Sequence, residues 1–64
     1  MAPPAFELYD RAMHRMLDAH PVLQHHPETV RAAGAFLYPF LRDVELHAAL
    51  EVIGRFAEWL LEGD

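Results

Sequence analysis

The stretch DVELHAALEVIGRFAEWLLE, residues 43–62, carries the strongest structural signal in this 64-residue chain. Its apolar residues recur every three or four positions, which is the period of a helix with one buried face. Projected at about 100° per residue, they cover an arc of roughly 220°. Asp43 suits the N-cap, and Gly63 follows the last periodic position, where helices often end on glycine. We predict a helix over about residues 43–62 with more apolar surface than one neighbouring helix can cover.

The stretch before it is more apolar still. Residues 32–41 read AAGAFLYPFL. Upstream, Pro27 suits the first position of a helix and Glu28 places an acid in the first turn. Pro39 has no N–H and clashes with the carbonyl four residues before it, so we predict a helix over about residues 27–38 that kinks or ends at Pro39. Because this helix is apolar nearly all round, we expect it to be buried on most sides.

The first helix is predicted over about residues 4–20. Pro4 is tolerated in a first turn, and Pro21 disfavours helical geometry at the residue before it. One face is apolar and the other charged, as in an ordinary amphipathic helix, and we expect Tyr9 and Tyr38 to be packed. No stretch alternates with period two, so nothing indicates a strand. The fold class is therefore all-α: one domain over residues 1–64, a three-helix chain formed as a helical hairpin with a Pro39 break.

Composition excludes several classes of protein. Hydrophobic residues make up 53% of the chain, too many for intrinsic disorder. The net charge is −5 with no lysine, so nucleic acid and anionic membrane surfaces are not expected partners. The longest apolar run is much shorter than the roughly 20 residues of a membrane span, and no basic segment precedes an apolar one as in a secretory leader. We expect a cytoplasmic protein.

The apolar excess leaves three alternatives open. A tight monomer hides most of it, several copies share one core, or the surface receives a different protein. A small chain without cysteine has no disulfide to stabilise its fold. We therefore favour a homo-oligomer, most simply a dimer, that completes a helical bundle. Tryptophan is enriched at interface hot spots, and Trp59 lies on the flank of the last predicted helix. We therefore place the predicted interface on that flank. The predicted interface comprises Phe36, Phe40, Ala48, Val52, Ile53, Phe56, Trp59 and Leu60.

Histidine is frequent, with five residues in the chain. Two arrays have members four residues apart, Asp10–His14–Asp18 and Asp43–His47–Glu51. Such spacing places the side chains on one helical stripe, and both stripes lie on predicted solvent faces. We interpret them as surface acid–histidine pairs.

A second group of histidines surrounds the connector after the first helix. His20, His25 and His26 could together hold a metal ion, since imidazole suits zinc and iron. Adjacent residues point apart in regular structure, however, which disfavours His25 and His26 as joint ligands. We keep this metal site as an alternative and expect no cofactor.

Catalytic groups are scarce. The chain has no serine or cysteine, Thr29 is its only aliphatic hydroxyl, and no glycine-rich phosphate loop is present. We expect a non-enzymatic interaction, scaffold or regulatory subunit that acts through self-association and apolar partner surfaces. The alternatives are a histidine-based module for a metal or small ligand, and an acidic protein that occupies another protein's basic site as antitoxins and inhibitors do. Strong weakening by salt would favour the acidic inhibitor.

Overall fold

A computed structural model describes residues 5–63, with side chains from residue 7 onward. Within that range the chain forms three helices and no strand, which confirms the all-α three-helix prediction. The helices are α1 (Ala5–Ala19), α2 (Pro27–Leu41) and α3 (Leu46–Glu62), with a short 3₁₀ turn (Pro21–His25) between the first two. The predicted start of the first helix at residue 4 lies outside the described residues.

Proline ends α1 and starts α2. His20 still donates its N–H to the Met16 carbonyl over 3.0 Å, but it has left helical geometry at φ −132° and ψ 70°. Pro21 follows it and disfavours the helical conformation at the preceding residue. Pro27 then occupies the first position of α2, where its missing N–H would have had no partner. Both boundaries lie within one residue of the predicted ones.

Helix α2 does not end at Pro39 but continues through it to Leu41, three residues beyond the predicted end at residue 38. Proline has a backbone φ close to that of a helix, and it removes only one hydrogen bond, the one its own N–H would donate to Ala35. Position 39 lies in the last turn, where few further bonds depend on it. Leu37 and Leu41 are half-buried on the last two turns, so packing holds the helix beyond the proline.

The break between the second and third helices lies at residues 42–45 instead. The Val44 N–H bonds to the Leu41 carbonyl over 3.0 Å and closes a turn. Glu45 is extended at ψ 143° and occupies the N-cap of α3 without a capping side-chain bond. The prediction of Asp43 as N-cap is therefore wrong, since Asp43 lies within the turn. Gly63 ends α3 at φ −80°, not in the left-handed conformation that favours glycine.

Helix α3 is the central element of the molecule. α1 and α2 each pack along it, but among the described residues no Cα of α1 lies within 8 Å of a Cα of α2. α1 runs in the same direction as α3, because Leu8 lies beside Leu46 at one end and Met16 beside Gly54 further along. α2 returns along the other flank of α3. Helix α3 therefore lies between the other two helices and contacts both.

The core is small for the amount of apolar side chain available. Within the described range, six hydrophobic residues are buried, and two of them are alanines: Met16, Leu23, Val30, Ala33, Leu50 and Ala57. Leu23, on the 3₁₀ turn, closes one end of this core. Within a single chain, only Val30 and Ala33 of α2 are buried. Its apolar circumference is largely open to solvent.

Candidate functional site

One exposed surface is a strip of aromatic side chains that crosses from α2 to α3. The Phe36 and Phe56 rings stack with centroids 5.6 Å apart, and the Phe56 and Trp59 rings stack at 5.8 Å. Phe40 follows Phe36 by one turn on the same face of α2. Their exposures are 63% for Phe36, 73% for Phe40 and 61% for Trp59. We call Phe36, Phe40, Val52, Phe56 and Trp59 the aromatic strip.

Ring stacking joins three members of the aromatic strip, Phe36, Phe56 and Trp59. Offset rings at this separation interact favourably beyond the area that they bury. Phe56 is half-buried between the two exposed rings and anchors them to the core. Trp59 and Phe36 thus hold their orientation while most of each ring faces solvent. Large aromatic rings exposed in a fixed arrangement are typical of interaction hot spots.

Acidic side chains border the strip on α3. Glu51 and Glu62 are exposed on the outer arc of that helix, next to the arc of Trp59 and Val52 at about 100° per residue. Arg55 is the one arginine of α3. It lies between Glu51 and Glu62 along the helix, on the same arc. The outer face of α3 is therefore an apolar ridge with an acidic margin.

A second exposed surface is a groove between α1 and α2, with α3 as its floor. Its volume is about 790 Å³, within the range of small-molecule and peptide sites. Tyr9, Met13 and Leu17 form the α1 wall, and Leu46, Leu50 and Ile53 belong to the floor.

Helix α2 supplies the other wall of this groove, including Val30, Gly34 and Tyr38. The groove lies where α1 and α2 flank α3 with no Cα of one within 8 Å of a Cα of the other.

The charged residues that line the groove are both arginines. Arg31 and Arg42 line it, and no aspartate or glutamate does. Neither guanidinium forms an ion pair with a carboxylate within residues 7–63. In a chain of net charge −5, this concentrates positive charge at an apolar concavity. The arrangement favours an occupant with an apolar face and acidic margins.

The eight residues of the predicted interface do not form one surface. Five of them are exposed: Phe36, Phe40, Val52, Trp59 and Leu60. Ala48 and Phe56 are half-buried, and Ile53 belongs to the groove, where its Cδ1 lies 3.8 Å from the Cβ that Gly34 would carry. Leu60 lies about 100° around α3 from Trp59, so it is off the strip. The structure thus brings together Phe36, Phe56 and Trp59 and separates Ile53 and Leu60 from them.

The groove itself was not predicted from the sequence. Tyr9 and Tyr38, expected to be packed, are exposed and lie on opposite walls of it. Helical periodicity identifies the inner face of each helix but not which faces meet. The sequence signal for this groove was the apolar arc of α3, which is wider than the arc that one neighbouring helix covers.

The histidines do not assemble into a metal site. Within the described residues, no group of three histidine, aspartate or glutamate side chains could hold a metal ion. His14 lies 3.7 Å from Asp10 with both side chains about 70% exposed, a surface pair of the predicted kind. His47 lies 3.6 Å from Glu45, and not beside Asp43 or Glu51 as its spacing indicated.

His20 has a structural role of its own. Its Nδ1 lies 2.9 Å from a carboxylate oxygen of Glu58, with side-chain exposures of 17% and 36%. The contact joins the end of α1 to α3, 38 residues away in sequence. His25 and His26 are exposed, so the three connector histidines are not directed at one point.

Comparison with known proteins adds no functional assignment. No protein-family model, no curated protein and no solved structure matches the chain. Across residues 5–63, no helix combines the length and the hydropathy needed to cross a membrane.

Proposed function

We propose that this protein is a non-enzymatic interaction subunit of the cytoplasm that works by self-association, with a dimer as the first assembled species. The observation that carries the proposal is the aromatic strip. Phe36, Phe40 and Trp59 are each more than half exposed, although Phe56 holds the stack in one orientation. Burial of such rings against a second copy removes apolar area from water, which stabilises an assembly.

The amount of exposed surface supports the same proposal. The chain exposes 5045 Å², whereas a compact monomer of 7.3 kDa exposes about 4,200 Å². A standard protein interface buries about 800 Å² on each partner. The excess surface is therefore of the size that one interface per chain removes from water.

The smallness of the core points in the same direction. The six buried hydrophobic residues of the described range give little hydrophobic stabilisation for a chain without disulfides. Chains of this size commonly complete their core by oligomerisation. A core shared between copies would bury the exposed aromatic residues. In a monomer their exposure has no structural role.

Trp59→Glu tests the proposal in sedimentation equilibrium at micromolar concentration. We expect the wild-type protein to sediment as a dimer or larger species. The variant should sediment as a monomer, because it places a charge where the strip would be desolvated.

Leu8→Glu is the matched control. Leu8 is also a large exposed hydrophobic residue, but it lies on α1 outside both the strip and the groove. This variant should associate like the wild type. A wild-type protein that stays monomeric at every concentration would refute self-association. Equal effects of the two variants on association would show that the aromatic strip is not the interface.

A further inference from the structure

We infer that the groove between α1 and α2 is the receptor for the outer face of α3 from a second copy, so that the protein assembles head to tail. The inference rests on the proposed self-association and identifies what the aromatic strip binds. The strip then packs into a different surface, not against its own copy. Three features of the described residues carry it: the geometry of α3, the spacing of the charges and the chemistry of the two surfaces.

The groove has the geometry of an empty corner in a four-helix bundle. α3 is adjacent to α1 and to α2, while α1 and α2 do not meet, as for diagonal helices in such a bundle. The vacant fourth corner lies between α1 and α2, opposite α3. A helix placed there contacts both walls of the groove and completes the shared core.

The outer face of α3 points away from the groove. At about 100° per residue, the groove-lining residues Leu46, Leu50 and Ile53 lie about 100–180° around the helix from Trp59 and Val52. The free arc of α3 is therefore convex, whereas the surface between α1 and α2 is concave. One copy of the chain carries both halves of a complementary contact on opposite sides.

The charges of the two surfaces match in sign and in spacing. Arg31 and Arg42 are 11 residues apart along α2, and Arg42 keeps helical angles just after its last residue. Glu51 and Glu62 are also 11 residues apart, on the outer arc of α3. At 1.5 Å per residue, each pair spans about 16 Å along its helix. An α3 seated beside α2 can therefore place both glutamates opposite both arginines.

The apolar parts of the two surfaces are complementary as well. Tyr9, Met13 and Tyr38 offer apolar and aromatic contacts to an incoming tryptophan. Arg55 is the one positive group on the incoming face and lies between the two glutamates. The incoming face nevertheless remains acidic overall, because the two glutamates outnumber the one arginine. No acidic side chain lines the groove to oppose it.

The contact is heterologous, because groove and strip are different surfaces. Such a contact closes into a ring or continues as a chain, depending on the rotation between neighbours. Two copies related by a two-fold axis could not satisfy it twice, since groove and strip face opposite ways. Each dimer therefore keeps one free groove and one free strip, and larger species follow the dimer as concentration rises.

Complementation between two association-defective variants tests the inference. Trp59→Glu keeps an intact groove, and the double variant Arg31→Glu/Arg42→Glu keeps an intact strip. Each alone should be monomeric by sedimentation, with self-affinity at least about tenfold weaker than that of the wild type. Their equimolar mixture should form a 1:1 heterodimer that grows no further, because the two remaining surfaces are both defective.

The outcomes separate this inference from the proposed function. A wild-type monomer refutes the proposed self-association itself. If the wild type associates and Arg31→Glu/Arg42→Glu associates equally well, self-association stands and the groove has no part in it. A mixture that stays monomeric overturns the inference, as does native mass spectrometry that finds a lipid-like molecule or a different protein in the groove of the wild type.

A charge-swapped pair of variants covers the case in which Trp59→Glu fails to fold. Glu51→Arg/Glu62→Arg changes only exposed side chains and should be monomeric alone. Mixed with Arg31→Glu/Arg42→Glu it should form assemblies longer than a dimer, because every junction in an alternating chain then joins opposite charges. Circular dichroism checks that each variant keeps its helices. Failure of the swapped pair to associate contradicts the assigned register.

Discussion

Gly54 determines how closely α1 approaches α3. A Cβ at this position would lie 2.8 Å from both Cγ and Sδ of Met16 and 3.0 Å from a ring carbon of His20. Met16 is 2% exposed, so it has little room to move away. We expect Gly54→Ala to lower the free energy of unfolding by about 1–2 kcal/mol, because overpacking exceeds the gain in helix propensity. Urea unfolding at fixed protein concentration measures this loss.

Gly34 is the matched control on α2. A Cβ there would lie 3.8 Å from Ile53 Cδ1, an ordinary van der Waals contact. Gly34→Ala should therefore raise the free energy of unfolding by about 0.5–1 kcal/mol through helix propensity alone. The close approach between helices therefore lies at Gly54 and not at Gly34. Equal effects of the two substitutions would contradict this distinction.

The contact between His20 and Glu58 is the only long-range side-chain hydrogen bond within the described residues. Glu58→Ala should cost about 1 kcal/mol of stability, since it leaves the partly buried imidazole without its partner. Glu58 is 36% exposed, so solvent screening keeps the loss from being larger. Asp10→Ala removes the exposed partner of His14 and should change stability by less than about 0.3 kcal/mol. Thermal unfolding of both variants measures the two changes in stability. A similar loss of stability in each would show that the contact between His20 and Glu58 does not stabilise the fold.

At the scale of the helices, α2 contains an unmade hydrogen bond. Pro39 leaves the Ala35 carbonyl without its helical donor. We expect Pro39→Ala to raise the free energy of unfolding by about 1–2 kcal/mol, less than for a proline at mid-helix because position 39 lies in the last turn. The turn at residues 42–45 should persist, because Glu45 is extended and lies six residues beyond the proline. NMR secondary shifts at these four residues measure it.

Pro27→Ala is the control for that prediction. Pro27 occupies the first position of α2, where its N–H would have no partner in any case. Its replacement should lower stability by a few tenths of a kcal/mol, because the unfolded chain gains freedom and the helix gains no bond. A continuous helix from α2 into α3 in Pro39→Ala would show that proline alone separates them.

The positions of the helices could be predicted from the sequence, but which helix faces pack against each other could not. Proline positions set the end of α1 and the start of α2, because proline restricts the backbone locally. The end of α2 was missed because Leu41 is held by packing, which local rules do not include. The aromatic strip was partly predicted, since Trp59 and Phe56 lie on the flank of an apolar arc. The groove depends on α1 and α2 failing to meet, which is a property of the tertiary arrangement.

The molecule as a whole is thin and open. Its Cα atoms extend 46 × 24 × 16 Å, and its radius of gyration of 11.8 Å exceeds the roughly 10.5 Å expected for this length. One central helix with two flanks leaves apolar surface on both sides of α3. Hydrophobic residues make up 53% of the chain, and under the proposed self-association a second copy covers part of them. Stability and assembly should therefore be linked.

That linkage predicts a melting temperature that depends on protein concentration. Ligands that bind only the folded state stabilise it by mass action, and a second copy acts as such a ligand. We expect the Tm of the wild type to rise by several degrees for each tenfold increase in concentration. The Tm of Arg31→Glu/Arg42→Glu should stay constant, because its groove no longer receives a neighbour. Differential scanning calorimetry over a concentration series measures both slopes, and a flat wild-type series would show that the small core of one chain is sufficient alone.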